Sequence, residues 1–275
     1  MPDLPAAQIP DTEVRDIKSK HTGQEYRISI ALPYEYHDLL DKKYQTVYIL
    51  DSNVHFGMFT EISRMLYLCG LVETIIVGIG YPINLPLEEG FSEIARLRAL
   101  DLTPVEDKAY EDERAQLGMT EKTGGASKFL SFLADDVIPM VEAEYRTTAT
   151  DRTLVGHSFG GLFALYTLFQ KPTLFKKLIV GSPSIHFADG IMFEYEDQFS
   201  KDRESLPVKL FLSAGELEES IKKPFVSNLY KFKAQLQSRN FADFELTSQI
   251  FENCNHCAVV APMFQFGLME MLPSR

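Results

Sequence analysis

The segment Gly156-His157-Ser158-Phe159-Gly160 places a serine between two glycines, after a short apolar run and before a helical pattern. In such a strand–turn–helix setting, the serine sits in a strained turn that lifts its hydroxyl above the sheet. Side chains at positions 156 and 160 would collide where the strand and the helix approach each other. We therefore predict that Ser158 is a nucleophile. The alternative is an ordinary glycine-rich loop that holds an inert serine.

A serine hydroxyl needs a base and an orienting acid before it attacks an acyl carbon. His256 follows the last predicted strand and precedes the last predicted helix, which is where α/β-hydrolases carry the histidine of their serine–acid–histidine order. We predict that His256 is the base. His157 is not expected to be the base, because a residue adjacent to the serine in a sharp turn points away from its hydroxyl. His55 and His186 are expected on loops that border the site.

Three carboxylates compete for the role of the acid, in the loop that follows the predicted strand 208–213. The spacing from Gly215 to the acid favours Glu218, while Glu216 and Glu219 remain alternatives. A run of acids is also typical of a solvated helix start, where negative charge suits the helix dipole. Both interpretations can hold for different members of the trio.

Two backbone N–H groups are needed to stabilise the developing oxyanion, each typically worth ~10²–10³ in rate. One is expected from Phe159, directly after the nucleophile. The other is expected from the loop Asp51-Ser52-Asn53, where we favour the N–H of Asn53. Asp51 has no second carboxylate or histidine at ligand spacing beside it, so we predict no metal site.

Short β-rich runs alternate with longer amphipathic runs, as in a mostly parallel sheet covered by helices on both faces. We predict one α/β domain over residues 1–275 with about eight strands, the first two forming an antiparallel hairpin. Residues 82–125 carry several prolines and glycines and predict a lid-like insertion. Strands are predicted at 13–18, 26–32, 46–50, 74–78, 153–155, 178–180, 208–213 and 244–251. Helices are predicted at 56–69, 126–145, 159–170, 224–238 and 258–271.

Composition restricts the classes of binding partner and the cellular compartment that we expect for this chain. A chain of 275 residues with a net charge of −12 has the wrong sign for binding a nucleic-acid backbone or an anionic membrane. We expect no membrane span and no secretory signal. Cys69, Cys254 and Cys257 cannot form a disulfide framework, which favours a cytoplasmic location. The Cys254–Cys257 pair is not predicted to bind zinc as in a zinc ribbon, because the chain has no second cysteine pair. It is not predicted to be a thioredoxin-like redox site either, because such a site opens a helix near the N-terminal strands.

Several motifs fall in an order that resembles one known family. They are Tyr48-Ile49-Leu50-Asp51, Gly78-Ile79-Gly80-Tyr81-Pro82, Arg98 with Asp101-Leu102-Thr103-Pro104, the segment from Gly156 to Leu162, and Gly181-Ser182-Pro183-Ser184. Together they resemble the Putative esterase family of α/β-hydrolases, which includes siderophore (enterochelin-type) esterases and relatives of esterase D. The resemblance runs from about Gly23 to Leu272.

Membership of that family would imply hydrolysis of a small-molecule carboxylic ester through an acyl-serine intermediate, without a cofactor. Its serine, acid and histidine would map onto Ser158, Glu218 and His256. The family's Ser-Pro-Ser element is typically followed by tryptophans, whereas this chain has His186 and Phe187 there and contains no Trp. We expect these two residues, with Tyr81, to line the substrate pocket.

The favoured function is a serine esterase that acts on a small or neutral acyl ester. A siderophore (trilactone) esterase and an acyltransferase of the same fold are alternatives. The alternative of another class is a non-catalytic α/β-hydrolase homologue that binds a ligand or a partner.

Overall fold

The computed structural model describes residues 7–220 and 223–272. Within them, eight strands form one sheet in the order β1-β2-β4-β3-β5-β6-β7-β8. The strands are β1 (Thr12–Lys18), β2 (Glu25–Ala31), β3 (Tyr44–Ile49), β4 (Thr74–Gly80), β5 (Thr147–His157), β6 (Lys177–Gly181), β7 (Lys209–Gly215) and β8 (Glu245–Phe251). Strands β1 and β2 pair antiparallel, and β2 also pairs antiparallel with β4. The pairs from β4 through β3 to β8 are parallel, so the predicted mostly parallel α/β-hydrolase sheet is confirmed.

Both faces of the sheet are buried. Alternate residues of a strand point to opposite faces, so a strand that is buried on both faces contributes side chains to two apolar clusters. In β3, Val47 and Ile49 pack in one apolar cluster, while Tyr48 and the following Leu50 pack in the other. This explains why the central strands are continuous apolar runs in the sequence. The helices that cover the sheet are α1 (Ser52–Leu68), α2 (Leu87–Asp101), α3 (Lys108–Gln116), α4 (Ala126–Phe132), α5 (Ile138–Glu144), α6 (Phe159–Gln170), α7 (Ile191–Asp202), α8 (Phe225–Arg239) and α9 (Val260–Met271).

Several segments differ from the sequence prediction in detail. Strand β5 covers Thr147–His157 where 153–155 was predicted, and α1 begins at Ser52 where 56 was predicted, so His55 lies in a helix and not on the expected loop. The helix predicted at 126–145 is a succession of α4, a π-helical turn at Leu133–Val137, and α5. The stretch 82–125 contains α2 and α3 rather than only irregular loop. Helix α7 was not predicted. In the described part of the chain, no helix combines the length and the apolar character that crossing a bilayer requires.

Candidate active site

Ser158 lies in a sharp turn between β5 and α6, with φ 60° and ψ −118°. This conformation is rare for a residue with a side chain, so the surrounding structure must hold it. A Cβ atom on Gly156 would overlap the carbonyl oxygen of Gly160. A Cβ on Gly161 would lie 2.9 Å from the carbonyl oxygen of Gly181. Gly156 therefore allows the close approach of strand and helix that the turn needs, as the sequence predicted. The collision predicted at position 160 is not found, because a Cβ on Gly160 would lie 3.2 Å from Oδ2 of Asp51 and not against the strand of the turn.

The carboxylate of Glu218 contacts the imidazole of His256. Glu218 ends a short 3-10 turn (Glu216–Glu218) after β7, and its Oε2 lies 2.6 Å from Nδ1 of His256. Its Oε1 accepts hydrogen bonds from the hydroxyl of Ser182 and from the N–H of Gly215, each at 2.6 Å. Burial opposes ionisation, but the bonds from His256, Ser182 and Gly215 outweigh it and lower the pKa of Glu218. Glu218 is therefore a fixed, charged acceptor for a histidine.

The other two acids of the trio accept hydrogen bonds from backbone N–H groups. Glu216 accepts from the N–H of Asn253 at 3.0 Å. Glu219 accepts from the N–H groups of Val226 and Ser227, each at 3.0 Å, in the first turn of α8. Glu219 is therefore the acid that fits the prediction of a negative charge at a helix start.

His256 lies in the loop between β8 and α9, on the same cavity as Ser158 and Glu218. Its ring centroid is 4.5 Å from that of His157 and 4.9 Å from that of Phe225. The structure thus brings together the three residues that sequence order selected, although they come from the ends of three different strands. Such convergence at the carboxyl edge of parallel strands is where α/β folds place ligands.

The cavity next to Ser158 has a volume of about 770 Å³. One wall is a triangle of rings from Tyr110, Phe159 and Phe187, with centroids 5.5 to 5.9 Å apart. His186 and Phe187, two of the three predicted pocket residues, line the cavity. Its lining also includes charged side chains besides that of Glu218, which are Arg98, Asp107, Glu113, Arg114, Glu121, Glu219 and Lys223.

Arg98 joins the insertion to the loop that follows β3. Its Nε and Nη2 donate to the two carboxylate oxygens of Asp51, at 2.8 and 2.9 Å. Its guanidinium also lies 5.6 Å above the ring of Phe159. Burial would raise the pKa of Asp51, but the charge of Arg98 and its hydrogen bonds outweigh burial and lower it. Asp51 is thus an ion-pair partner at the start of α1.

Asn53 and Tyr81 are placed differently from the cavity-lining residues. The side-chain amide of Asn53 donates to the carbonyl of Tyr81 and accepts from its N–H, both at 2.8 Å. The hydroxyl of Tyr81 donates to Oδ2 of Asp101 at 3.1 Å, within the core. Among the described residues that line the cavity, neither Asn53 nor Tyr81 occurs. The predicted pocket role of Tyr81 is therefore replaced by a core contact, and the backbone N–H groups of Asn53 and Phe159 remain a predicted oxyanion site.

Sequence reasoning missed Ser182 as part of this site. It follows β6, is completely buried, and has a φ of 41°. Its hydroxyl donates to Glu218, as described above. The signal in the sequence that points to it is the Gly181-Ser182-Pro183-Ser184 motif.

Comparison with known proteins decides the family. The sequence model of the family described as Putative esterase matches residues 19–222. The chain belongs to this family. It is therefore an esterase, and the resemblance seen in its motifs is confirmed.

Relatives with curated descriptions share about a third of their aligned residues with this esterase. The ferri-bacillibactin esterase BesA of Bacillus subtilis (strain 168) is 34% identical over 220 residues, which cover 78% of this chain and 73% of BesA. A siderophore enterobactin esterase of Emericella nidulans is 36% identical over 168 residues, 58% of this chain and 54% of that protein.

Solved structures show the same fold. The BES protein from Bacillus cereus superposes with a TM-score of 0.81 at 29% identity, over 98% of both chains. The siderophore hydrolase EstA from Aspergillus nidulans gives a TM-score of 0.81 at 27% identity, also over 98% of both chains. The α/β-hydrolase fold of this esterase is thereby established.

Proposed function

We propose that this esterase hydrolyses the ester bonds of a siderophore through an acyl-serine intermediate on Ser158. His256 takes the hydroxyl proton as the serine oxygen attacks the ester carbonyl, and Glu218 keeps His256 in the tautomer whose Nε2 accepts that proton. The imidazolium then gives the proton to the leaving alkoxide. The N–H groups of Asn53 and Phe159 are the proposed donors to the oxyanion.

The second half of the cycle uses the same groups in reverse roles. A water molecule takes the place of the departed alcohol, and His256 removes its proton as it attacks the acyl carbon. Collapse of the second tetrahedral intermediate releases the acid and restores the Ser158 hydroxyl. The observation that carries this proposal is the 2.6 Å contact of His256 Nδ1 with Glu218, on a cavity that Ser158 also lines.

Two observations support a siderophore as the substrate. The curated relatives described above are named for siderophore esters, at 34% and 36% identity. The cavity of about 770 Å³ lies in the upper part of the range for ligand sites and exceeds what a short acyl ester would fill. We further propose that the insertion at 82–125 forms the outer wall of this cavity, since α3 carries Tyr110 and Arg114 on its lining.

A small or neutral acyl ester is the second candidate substrate. Its support is the charge balance of the wall, because two arginines that line the cavity are paired with carboxylates. Arg98 binds Asp51 through two oxygens, and Arg114 donates to Oε1 of Glu121 at 2.9 Å through Nε. The positive charge of both arginines is thus compensated, which favours an uncharged ester group.

Initial rates separate the two substrates. A trilactone siderophore, in its free and ferric forms, is compared with p-nitrophenyl acetate and a feruloyl ester. The siderophore proposal expects kcat/KM for one trilactone form to exceed that for p-nitrophenyl acetate by about tenfold or more. The reverse order would replace it with the small-ester candidate.

A fluorophosphonate probe tests the acyl-serine mechanism independently of the substrate. The wild-type protein should be labelled and the Ser158→Ala variant should not. His256→Ala should lose turnover of p-nitrophenyl acetate, while a folded variant with full turnover would show that another group is the base. Equal labelling of wild type and Ser158→Ala would contradict the mechanism.

A further inference from the structure

Lys223 differs from the two arginines that line the cavity, because its side chain has no anionic partner. Arg98 is paired with Asp51, and Arg114 is paired with Glu121. Across residues 7–220 and 223–272, no carboxylate forms an ion pair with Nζ of Lys223, and the hydrogen bonds of this residue are made by its main chain. The lining therefore contains an ammonium group whose three donors are available to a ligand.

The main chain of Lys223 is fixed close to the proposed acid. Its N–H donates to the hydroxyl of Ser220 at 3.0 Å, and its carbonyl accepts from the N–H of Phe225 at 3.0 Å. An antiparallel bridge joins Glu219 to Pro224, and it begins at the residue that follows the acid. The lysine side chain therefore extends from a held backbone next to the catalytic groups.

The carboxylates that are nearest to Lys223 along the chain are engaged elsewhere. Both oxygens of Glu218 accept the contacts of the catalytic site. Glu219 accepts from two N–H groups in the first turn of α8. These oxygens already have partners, so neither acid takes the place of an external anion at the ammonium of Lys223.

His186 supplies a second polar group to this part of the cavity. Its ring packs edge-on against that of Phe225, with 4.9 Å between the centroids, and the main chain of Phe225 is bonded to that of Lys223. Nδ1 of His186 is buried without a hydrogen-bond partner among the described residues. Burial lowers the pKa of His186 to about 4, and the charges of Lys223 and His256 act in the same direction. The ring is therefore neutral near pH 7 and offers one N–H donor.

We propose that Lys223 and His186 form an anion subsite of the cavity, which binds a carboxylate or phenolate oxygen of the ester substrate. An oxyanion gives the ammonium the charged partner that the protein does not supply, and hydrogen bonds between charged groups are stronger than neutral ones. This inference rests on the proposed function and narrows its substrate class. The preferred ester carries an oxyanion in addition to the uncharged ester group that is cleaved.

Two esters of similar length measure this preference. The acyl group of p-nitrophenyl hemisuccinate ends in a carboxylate, and that of p-nitrophenyl pentanoate ends in a methyl group. The net charge of −12 affects the absolute rate for any anion, so the ratio of the two kcat/KM values is compared between variants. Lys223→Gln should lower the ratio of hemisuccinate to pentanoate by about tenfold, and Lys223→Arg should retain most of it. The difference between wild type and Lys223→Gln should shrink from about 0.01 M to about 1 M NaCl, because salt screens the charge.

Two further variants separate the subsite from general effects of charge and packing. Lys43→Gln changes the net charge equally, but Lys43 directly precedes β3, at the opposite edge of the sheet from the site. Its ratio should equal that of wild type. His186→Phe keeps a ring in place and removes both nitrogens, so it should lower the ratio by about threefold.

A catecholate trilactone distinguishes the two kinds of oxyanion. The phenolate oxygens of its ferric form are charged, whereas the free form keeps most of its phenolic protons near pH 7. A Lys223→Gln effect on the hemisuccinate alone identifies a carboxylate, and an effect on the ferric form alone identifies a phenolate. Either result supports the subsite.

Unchanged preferences of Lys223→Gln in both pairs of substrates would overturn the inference. So would an equal loss in Lys43→Gln, or a wild-type ratio in His186→Phe. Failure of the proposed function is a different result, in which wild type itself neither turns over these esters nor reacts with the fluorophosphonate probe.

Discussion

The hydroxyl of Ser182 donates to Oε1 of Glu218 at 2.6 Å, in a completely buried position. The second oxygen of the same carboxylate contacts His256. The loop after β6 therefore supports the acid that the loop after β7 provides. The N–H of Ser182 also donates to the carbonyl of Ser213 at 2.7 Å, which anchors Ser182 to β7. The carboxylate is thus held from the side away from the histidine, and its freedom to turn is limited.

Ser182→Ala should therefore lower kcat by about tenfold while KM changes little, because Glu218 would lose one of its two fixed donors. The bond lowers the folded-state pKa of Glu218, so it contributes stability above the unfolded-state pKa that is lost as the pH falls through the folded-state value. We expect the loss of unfolding free energy in the variant to be larger at pH 7 than at pH 3. Urea unfolding at both pH values measures this.

Ser213→Ala is the matched control for this prediction. Ser213 is also buried in the neighbouring strand, but its hydroxyl lies 3.5 Å from the carbonyl of Val180 and does not contact the acid. Its kcat should stay near that of wild type. Equal kcat losses in Ser182→Ala and Ser213→Ala would indicate a general packing defect instead of support for Glu218.

Glu218→Gln should reduce kcat by about 10²-fold or more with a folded protein, because a neutral amide neither fixes the histidine tautomer nor stabilises the imidazolium. Glu216→Gln should keep nearly full activity, since an amide oxygen can still accept from the N–H of Asn253. Steady-state kinetics on p-nitrophenyl acetate measures both. A larger loss in Glu216→Gln would move the assignment of the acid.

The proximity of Glu218 and His256 could be predicted from the chain order and from the positions of both residues after strand ends. Parallel strands end at one edge of the sheet, so the residues that follow them must meet. Side-chain direction was not predictable in the same way. Tyr81 follows β4 close to the site, but its hydroxyl donates a hydrogen bond to Asp101 within the core.

Helix α7 shows why a helix can escape sequence analysis. Its buried face includes Met192, Glu196 and Phe199, so a carboxylate interrupts the apolar periodicity on which the prediction relied. Glu196 is completely buried because Arg239 of α8 donates to both of its oxygens at 3.0 Å. The partner lies in another helix and is invisible to a pattern of local spacing.

Asp101 should make the protein less stable as the pH rises. Its carboxylate is buried and accepts from Tyr26 at 2.9 Å and from Tyr81 at 3.1 Å. Burial raises the pKa of Asp101 to about 7, although both tyrosine hydroxyls and Arg96 act in the opposite direction. Between pH 4 and 7 the unfolded chain loses this proton while the folded protein keeps it, so the free energy of unfolding falls over that window.

Asp101→Asn removes this dependence. The free energy of unfolding of the variant, relative to wild type, should therefore increase from pH 4 to pH 7.5, by up to about 4 kcal/mol. Asp16→Asn is the control that should change little between these pH values, because a hydrogen bond from Arg27 lowers the pKa of Asp16, so its contribution to stability is lost only at lower pH. Urea unfolding at both pH values gives the result, and parallel curves for wild type and Asp101→Asn would refute the prediction.

Asp107 joins the insertion to the opposite wall of the cavity. Its Oδ1 accepts from the N–H of Tyr110 at 3.0 Å and caps α3, while its Oδ2 accepts from the N–H of Ala188 at 3.1 Å. Ala188 has a φ of 47° and directly follows Phe187, whose ring contacts that of Tyr110. One carboxylate thus sets the distance between two aromatic parts of the wall.

Asp107→Ala removes a helix cap, typically worth about 1 kcal/mol, and frees both parts of the wall. We expect KM for a large ester to rise about tenfold, with kcat on p-nitrophenyl acetate within about threefold, because Ser158, His256 and Glu218 are held by other contacts. Asp112→Ala is the control on the same helix, since the one contact of the Asp112 side chain within the described residues is an exposed ion pair with Lys108. Similar KM values for Asp107→Ala and Asp112→Ala would show that the insertion does not shape the site, and an equal fall of kcat on both substrates in Asp107→Ala would show that its effect reaches the catalytic groups.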